Sequence, residues 1–218
     1  CICSDGDLME GVSYESASLA GHLKLDNLIY LFDDNQITID GPTDLAFSED
    51  VTKRFESCGW EVTVVEDGND LCAIEEAIKA AQKSTGKPKL IRIKTIIGFG
   101  MPKQGTSKAH SDAPGTDAVK ETKRNLDWPE NKTFFIPKEV LTHFRTAVKN
   151  GAKMEKEWEA SVKSYAKKFP DEGRALKQTR SGSLPDGWEK SLPTFDGVEA
   201  KATRAYSGDV INAIADKI

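Results

Sequence analysis

The chain has 218 residues and a formal net charge of −5, with 30 Lys and Arg against 35 Asp and Glu. With 38% hydrophobic and 30% charged residues, its composition is typical of a soluble globular protein of one large or two small domains. The mildly acidic balance argues against binding to nucleic acid or to an anionic membrane, and no apolar run approaches the roughly 18–20 residues of a membrane span. The four cysteines fit no metal spacing, so we expect reduced thiols and a cytoplasmic location.

The first residues of the chain are unusual. It begins without Met, at Cys1-Ile2-Cys3, and the polar run Ser4-Asp5-Gly6-Asp7 follows at once. A short apolar tail of this kind predicts the end of a buried strand whose beginning is missing. We therefore expect these residues to be a fragment of a longer polypeptide.

Helices and strands alternate over roughly the first hundred residues. Apolar residues at helical spacing predict helices, apolar runs predict strands, and capping and turn residues mark their limits. The predicted elements, in order, are a strand stub at the start, a helix over 8–23, a strand over 27–32, a helix from 51, a strand over 60–65, a helix from 69 or 70 to 81, and a strand over 90–97. This alternation predicts an α/β fold, a parallel sheet with helices on both faces. Ligands of such sheets bind at the carboxyl ends of the strands, which makes 4–10, 33–39 and 97–110 the candidate site segments.

The rest of the chain divides into a loop, a helical segment and a linker. We expect a long surface loop over 98–120, because it is rich in Gly, Ser, Lys and Asp. The pattern becomes helical from Lys138, and the Pro and Gly residues of 182–200 predict a linker. Residues 201–218 resemble the first helix of another domain, with Val210, Ile211, Ile214 and Ile218 on one face. The expected domains are 1–181 and, after the linker 182–200, the start of a second domain at 201–218.

The most informative pair of polar residues is Asp5 and Asn35. Each lies just past a predicted strand, and in a right-handed strand–helix–strand unit the two strands can be neighbours. A carboxylate, an amide oxygen and a nearby backbone carbonyl form an oxygen-only ligand set that suits Mg²⁺ or Ca²⁺. Gly6 would let the backbone approach a phosphate closely. The alternative is an ordinary Asp-Gly turn and an unrelated asparagine at a strand end.

Several common site motifs are absent from the sequence. There is no G-x-G-x-x-G and no G-x-x-x-x-G-K-[ST], so nicotinamide or nucleoside triphosphate binding lacks its fingerprint. There is also no HExxH zinc motif, nucleophile elbow or Cys-His nucleophile signature.

The combination of Asp5-Gly6-Asp7 with the later Asp33-Asp34-Asn35 resembles the thiamine diphosphate motif, in which a GDG is followed after some 25–30 residues by Asn. Ser4 stands where the motif usually has its first Gly, and Ser is small enough for a local adjustment. The wider sequence resembles the transketolase family in EGVSYESASLAGHLKLDNLI, DDNQITIDGPT, FSEDVTKRFESCGW, KTIIGFGMP, RNLDWP, LPDGWEKSLPTF and KATR. The resemblance covers essentially the whole chain. It implies the end of a diphosphate-binding domain followed by the start of a pyrimidine-binding domain.

The resemblance assigns roles to individual residues. It implies that Asp5, Asn35 and the backbone carbonyl of Ile37 bind Mg²⁺. Residues near the thiamine diphosphate would be Asp5, Gly6, Asn35, Ile39, Ile97 and His110.

Three further roles follow from the same resemblance. His110 would lie between diphosphate and substrate as the catalytic and substrate-binding histidine, although the usual glycine after it is missing here. Arg204 would bind the phosphate of a sugar phosphate. Glu10 would lie at the interface of a homodimer whose active sites are at the subunit interface.

The resemblance implies transfer of a two-carbon ketol unit from a ketose phosphate to an aldose phosphate, in the pentose phosphate pathway. Dihydroxyacetone synthase, which uses formaldehyde as acceptor, is a close alternative, and Arg204 does not separate the two because both use phosphorylated donors. A non-catalytic cofactor-binding or dimerisation fragment is the alternative from another class. We expect these 218 residues to be inactive on their own.

Overall fold

The computed structural model describes residues 1–197 and 200–217, and contacts divide the chain into two compact units, Cys1–Phe135 and Ile136–Ile218. The predicted linker includes Val198 and Glu199, and the predicted last helix includes Ile218, all of which lie outside the described residues. The expected domain limits of 1–181 and 201–218 stay a prediction.

The first unit contains a four-stranded sheet. Its strands are β1 (Ile2–Ser4), β2 (Ile29–Asp34), β3 (Glu61–Val65) and β4 (Lys89–Lys94). They lie in the order β1-β2-β4-β3, and every neighbouring pair is parallel. All four carboxyl ends therefore lie at one edge of the sheet, and the predicted parallel sheet is confirmed.

One or more helices follow each strand of this unit. They are α1 (Asp5–Met9), α2 (Gly11–His22), α3 (Val51–Ser57), α4 (Leu71–Lys83), α5 (Lys108–Ser111) and α6 (Thr116–Asn125). Consecutive residues of a strand face opposite sides of a sheet, so Leu90 packs in one core cluster and Ile91 in another. The Leu90 cluster includes residues of α2 and α3, and the Ile91 cluster includes residues of α4. Both faces of the sheet are thus covered, as the sequence predicts.

Side-chain caps and close approaches set where these helices lie. The Asp50 carboxylate accepts a hydrogen bond from the Lys53 N–H at the start of α3. Asp70, and not Asn69, caps α4, accepting from two backbone N–H groups of its first turn. Gly21 of α2 lies against the backbone that follows α3, where an added Cβ would stand 1.7 Å from the Cys58 carbonyl oxygen. Only glycine allows this approach.

The predicted surface loop over 98–120 is wrong in part, because α5 and the first half of α6 lie within it. The α6 segment has few apolar residues, so it lacks the apolar spacing from which the other helices are predicted. Its end is fixed by contacts distant in sequence: Asn125 Nδ2 donates to the Gly100 carbonyl at 2.8 Å, and Leu126 packs against Gly100.

Two predicted strand limits are also wrong. β2 continues through Asp33 and Asp34, and β4 stops at Lys94, three residues before the predicted end at Ile97. The pairing register joins Asp34 to Lys94, so the two strands end together. Pairing between strands, which local composition does not encode, decides both limits.

The second unit is helical. It contains α7 (Lys138–Lys168), α8 (Pro170–Ser181), a short 3-10 turn (Trp188–Ser191) within the predicted linker, and α9 (Thr203–Ile214). The predicted helical pattern from Lys138 is confirmed. Within the described residues, no helix is both long and apolar enough to cross a membrane.

Candidate functional site

The structure brings the segments after β1 and β2 together. The register pairs Ser4 with Asp33, so the next residue, Asp5, lies beside the end of β2. Asp5 is only 3% exposed, and its Oδ2 accepts a hydrogen bond of 3.1 Å from the Gln36 N–H. The juxtaposition that the strand order predicts is therefore present, at the carboxyl edge of the sheet.

A tight turn presents Asn35 beside Asp5. Gln36 has a φ of +59°, in the left-handed region that residues other than glycine adopt only rarely. Asn35 Oδ1 accepts from the Ile37 N–H at 2.9 Å, and its Nδ2 donates to Asp33 Oδ1 at 3.4 Å. These bonds distinguish the two ends of the amide and fix the orientation of the side chain.

Carboxylates dominate the electrostatics around Asp5 and Asn35. Burial and, to a lesser extent, the negative charges of Asp34 and Asp33 raise the pKa of Asp5 from 3.8 to about 6, against the opposing effect of the backbone N–H groups of Gln36 and Asn35. The ionised form of Asp5 is therefore held at a cost in the metal-free protein.

Neighbouring side chains compensate for the other two carboxylates. Asp34 is 5% exposed and forms an ion pair of 2.6 Å with Arg92 Nε, and Arg92 Nη1 donates to the Thr52 hydroxyl at 3.4 Å. Asp33 accepts from the hydroxyl of Thr95. Among residues 1–197 and 200–217, no basic side chain forms an ion pair with Asp5.

The donor chemistry around Asp5 fits a hard divalent cation. A buried carboxylate without a cationic partner, an oriented amide and the Ile37 carbonyl offer oxygen ligands only, the type that Mg²⁺ and Ca²⁺ prefer. The part of the chain that the structure describes has no group of three His, Cys, Asp or Glu side chains placed to hold a metal. The predicted ligand set contains only one such side chain, so diphosphate oxygens and water would have to complete the shell.

The surroundings of Gly6 fit a phosphate group. Apart from its chain neighbours and the backbone of its own helix, no heavy atom lies within 4 Å of the position that a Cβ on Gly6 would occupy, and its φ is outside the left-handed region. Neither backbone conformation nor packing within the chain requires glycine here. A ligand that approaches the backbone closely is one reason for glycine at this position.

The remaining predicted residues lie further along the chain. Ile39 is 61% exposed, and Ile97 is half-buried with its carbonyl accepting from the Gly105 N–H at 2.9 Å. His110 is exposed on the short helix α5, and Glu10 is exposed between α1 and α2. Arg204 is exposed on α9 in the second unit. The roles of these residues stay predictions.

Sequence reasoning missed Gln36 and the Asp34–Arg92 pair. Glutamine carries no signal for a left-handed conformation, so the turn at Gln36 was not detectable. Arg92 could have been found, because it is the single charged residue inside the apolar run of β4 between Lys89 and Lys94. A charge in such a run needs a partner on the neighbouring strand.

Comparisons with known proteins agree with this geometry. A sequence model described as transketolase, thiamine diphosphate binding domain, matches residues 1–185. Transketolase from Geobacillus stearothermophilus is 47% identical over 219 aligned positions, covering 100% of this chain and 33% of the relative. Transketolase 2 from Saccharomyces cerevisiae is 45% identical, covering 96% of this chain and 31% of the relative.

Solved structures show the same similarity. Transketolase from Leishmania mexicana superposes with a TM-score of 0.88 at 37% identity, covering 100% of this chain and 32% of the other. A transketolase from Pichia stipitis in complex with sedoheptulose 7-phosphate gives a TM-score of 0.87 at 41% identity, again with 100% and 32% coverage. The chain thus spans about a third of the length of the relatives it matches.

Proposed function

Because this chain belongs to the transketolase family, we propose that the protein that carries it transfers a two-carbon ketol unit from a ketose phosphate to an aldose phosphate. Thiamine diphosphate and Mg²⁺ are the proposed cofactors, with the reaction serving the pentose phosphate pathway in the cytoplasm. The observation that carries the proposal is the buried Asp5, which forms no ion pair within the described residues, beside the oriented Asn35 at the edge where parallel sheets bind ligands.

The residues around Asp5 and Asn35 would hold the metal. Asp5, Asn35 and the carbonyl of Ile37 would supply three oxygen ligands, and the cation would neutralise both Asp5 and the diphosphate. Gly6 leaves room for a phosphate oxygen beside its backbone. Thiamine diphosphate, when bound, supplies the carbanion chemistry and the electron sink for the two-carbon transfer. The protein's contribution is position and electrostatics.

Two residues of this chain would act on the substrate. The His110 imidazole would donate hydrogen bonds to oxygens of the substrate or of the diphosphate. The Arg204 guanidinium would bind the sugar phosphate as a bidentate clamp. Both side chains are exposed in their own units, so both are accessible to a ligand.

We also propose that the protein acts as a homodimer with the active sites at the subunit interface. Glu10, on the surface between α1 and α2, would lie in that interface.

A coupled assay of ketol transfer with the intact protein tests the proposal. Activity with a ketose phosphate donor and ribose 5-phosphate should require both thiamine diphosphate and Mg²⁺. A strong preference for formaldehyde over ribose 5-phosphate would instead support a dihydroxyacetone synthase. Cofactor binding without either transfer would favour a non-catalytic module.

A further inference from the structure

We propose that Arg54 of α3 is a positioning residue for α1, the helix that carries Asp5 and Gly6. It holds the carboxyl-terminal end of α1 in place. Its side chain is 11% exposed. Its two terminal nitrogens, Nη1 and Nη2, donate to the Leu8 carbonyl at 3.4 and 3.3 Å. Arg54 thus joins two elements that are 46 residues apart in the chain.

A surrounding network holds the guanidinium group itself. Arg54 Nε lies 2.7 Å from Glu49 Oε1, in an ion pair whose N–H is not aligned as a hydrogen bond. Its Cζ lies 3.8 Å from the centre of the Tyr14 ring, and the Tyr14 hydroxyl donates to the other oxygen of Glu49. The cation therefore has an aromatic face on one side and a carboxylate on another, which fixes its direction.

The contact with Leu8 matters because α1 is short. A five-residue helix has almost no stability of its own, and its last carbonyls lack partners within the helix. Its first end is fixed by Ser4, whose N–H and hydroxyl donate to Asp7 Oδ2 at 2.8 and 3.0 Å. Arg54 fixes the other end, where a cation also interacts favourably with the helix dipole.

Asp5 and Gly6 both lie in α1, the helix that is fixed at both ends. A shift of α1 would move the Asp5 carboxylate relative to Asn35, which belongs to the separate β2 turn. Mg²⁺ demands nearly ideal octahedral geometry, so small displacements should weaken its binding. The inference rests on the proposed function, since it assigns Arg54 a role in forming the proposed metal site.

The test compares three variants of the intact protein with the wild type. Arg54→Gln removes the charge and both bonds to Leu8, and Arg54→Lys keeps the charge with a single donor group. Lys53→Gln is the matched control, because it removes a charge from the neighbouring position, where the side chain is 80% exposed. Calorimetry measures the Mg²⁺ concentration for half-maximal binding of thiamine diphosphate. Thermal midpoints in EDTA show whether each variant is folded.

Arg54→Gln should raise the half-maximal Mg²⁺ concentration by about tenfold, the lower end for residues that orient metal ligands. Arg54→Lys should recover part of this loss, and Lys53→Gln should match the wild type. If Arg54→Gln fails to fold, Arg54→Lys decides, because wild-type Mg²⁺ affinity in a folded Arg54→Lys protein would overturn the inference. Wild-type affinity in Arg54→Gln would overturn it too, while leaving the proposed function intact. If the wild type itself shows no Mg²⁺-dependent binding, the proposed function fails and the inference with it.

Discussion

Replacing Asp5 by Asn should stabilise the metal-free protein while abolishing metal binding. The folded state raises the pKa of Asp5 from 3.8 to about 6, and one pKa unit corresponds to about 1.4 kcal/mol. The ionised carboxylate therefore costs up to about 3 kcal/mol at neutral pH. Asparagine has the same shape and keeps an oxygen that can accept from the Gln36 N–H, so it removes the charge without removing the bond.

The expected gain depends on pH in a defined direction. Because the folded-state pKa of Asp5 is above its ordinary value, the folded protein binds the proton more tightly than the unfolded chain does. The penalty is complete above about pH 6, fades between pH 6 and 3.8, and is absent below that range. The advantage of Asp5→Asn should disappear over the same window as the pH falls.

Thermal midpoints of the intact protein in EDTA, at pH 8 and pH 4, provide the measurement. Asp5→Asn should melt higher than wild type at pH 8 and alike at pH 4, whereas Asp44→Asn, a change at an exposed position, should have little effect at either pH. With Mg²⁺ and thiamine diphosphate at a thousand times the Kd the order should reverse, because bound ligand then stabilises wild type by about 4.1 kcal/mol, more than the charge penalty of about 3 kcal/mol. A lower midpoint for Asp5→Asn in EDTA at pH 8 would refute the assigned electrostatics.

A helix contact, a buried thiol and the proposed phosphate ligand can each be tested by a single change. Gly21→Ala should destabilise the fold by about 3 kcal/mol, the upper end for overpacking, because its Cβ would overlap the Cys58 carbonyl; an unchanged thermal midpoint would contradict the close approach. Burial raises the pKa of the Cys3 thiol to about 11. Iodoacetamide at pH 8 should therefore modify Cys3 roughly a hundredfold more slowly than the exposed Cys72. Equal modification rates of the two thiols, measured by mass spectrometry, would disprove this prediction. Arg204→Ala should weaken apparent affinity for ribose 5-phosphate tenfold to a hundredfold, a loss of about 1.5–3 kcal/mol, and leave glycolaldehyde unaffected; equal KM changes for both acceptors would show a structural role.

The sequence was sufficient for the sheet and for the pairing of its first two strand ends. The apolar runs of β2 and β4 and the capping residue Asp70 are local signals, and the alternation of elements restricts the order of the strands. Asp5 and Asn35 follow two such runs, so their proximity required no knowledge of side-chain positions.

The parts that local signals did not predict depend on contacts distant in sequence. The polar helix α6 ends at contacts with Gly100, and the limit of β2 follows from its register with β4. The role proposed for Arg54 depends on Leu8, Tyr14 and Glu49 meeting around it. In the sequence Arg54 is an ordinary helix-surface charge, because only the fold shows that most of its side chain is covered.

We propose that Asp5 and Asn35 hold a divalent cation that binds the diphosphate of thiamine diphosphate. Calorimetric titration of the intact protein with thiamine diphosphate, in Mg²⁺ and in EDTA, tests it most directly. Binding should require Mg²⁺ in the wild type and in Asp44→Asn, and it should be lost in Asp5→Ala and in Asn35→Ala. Wild-type affinity in EDTA, or in the Asp5→Ala protein with Mg²⁺, would contradict the claim.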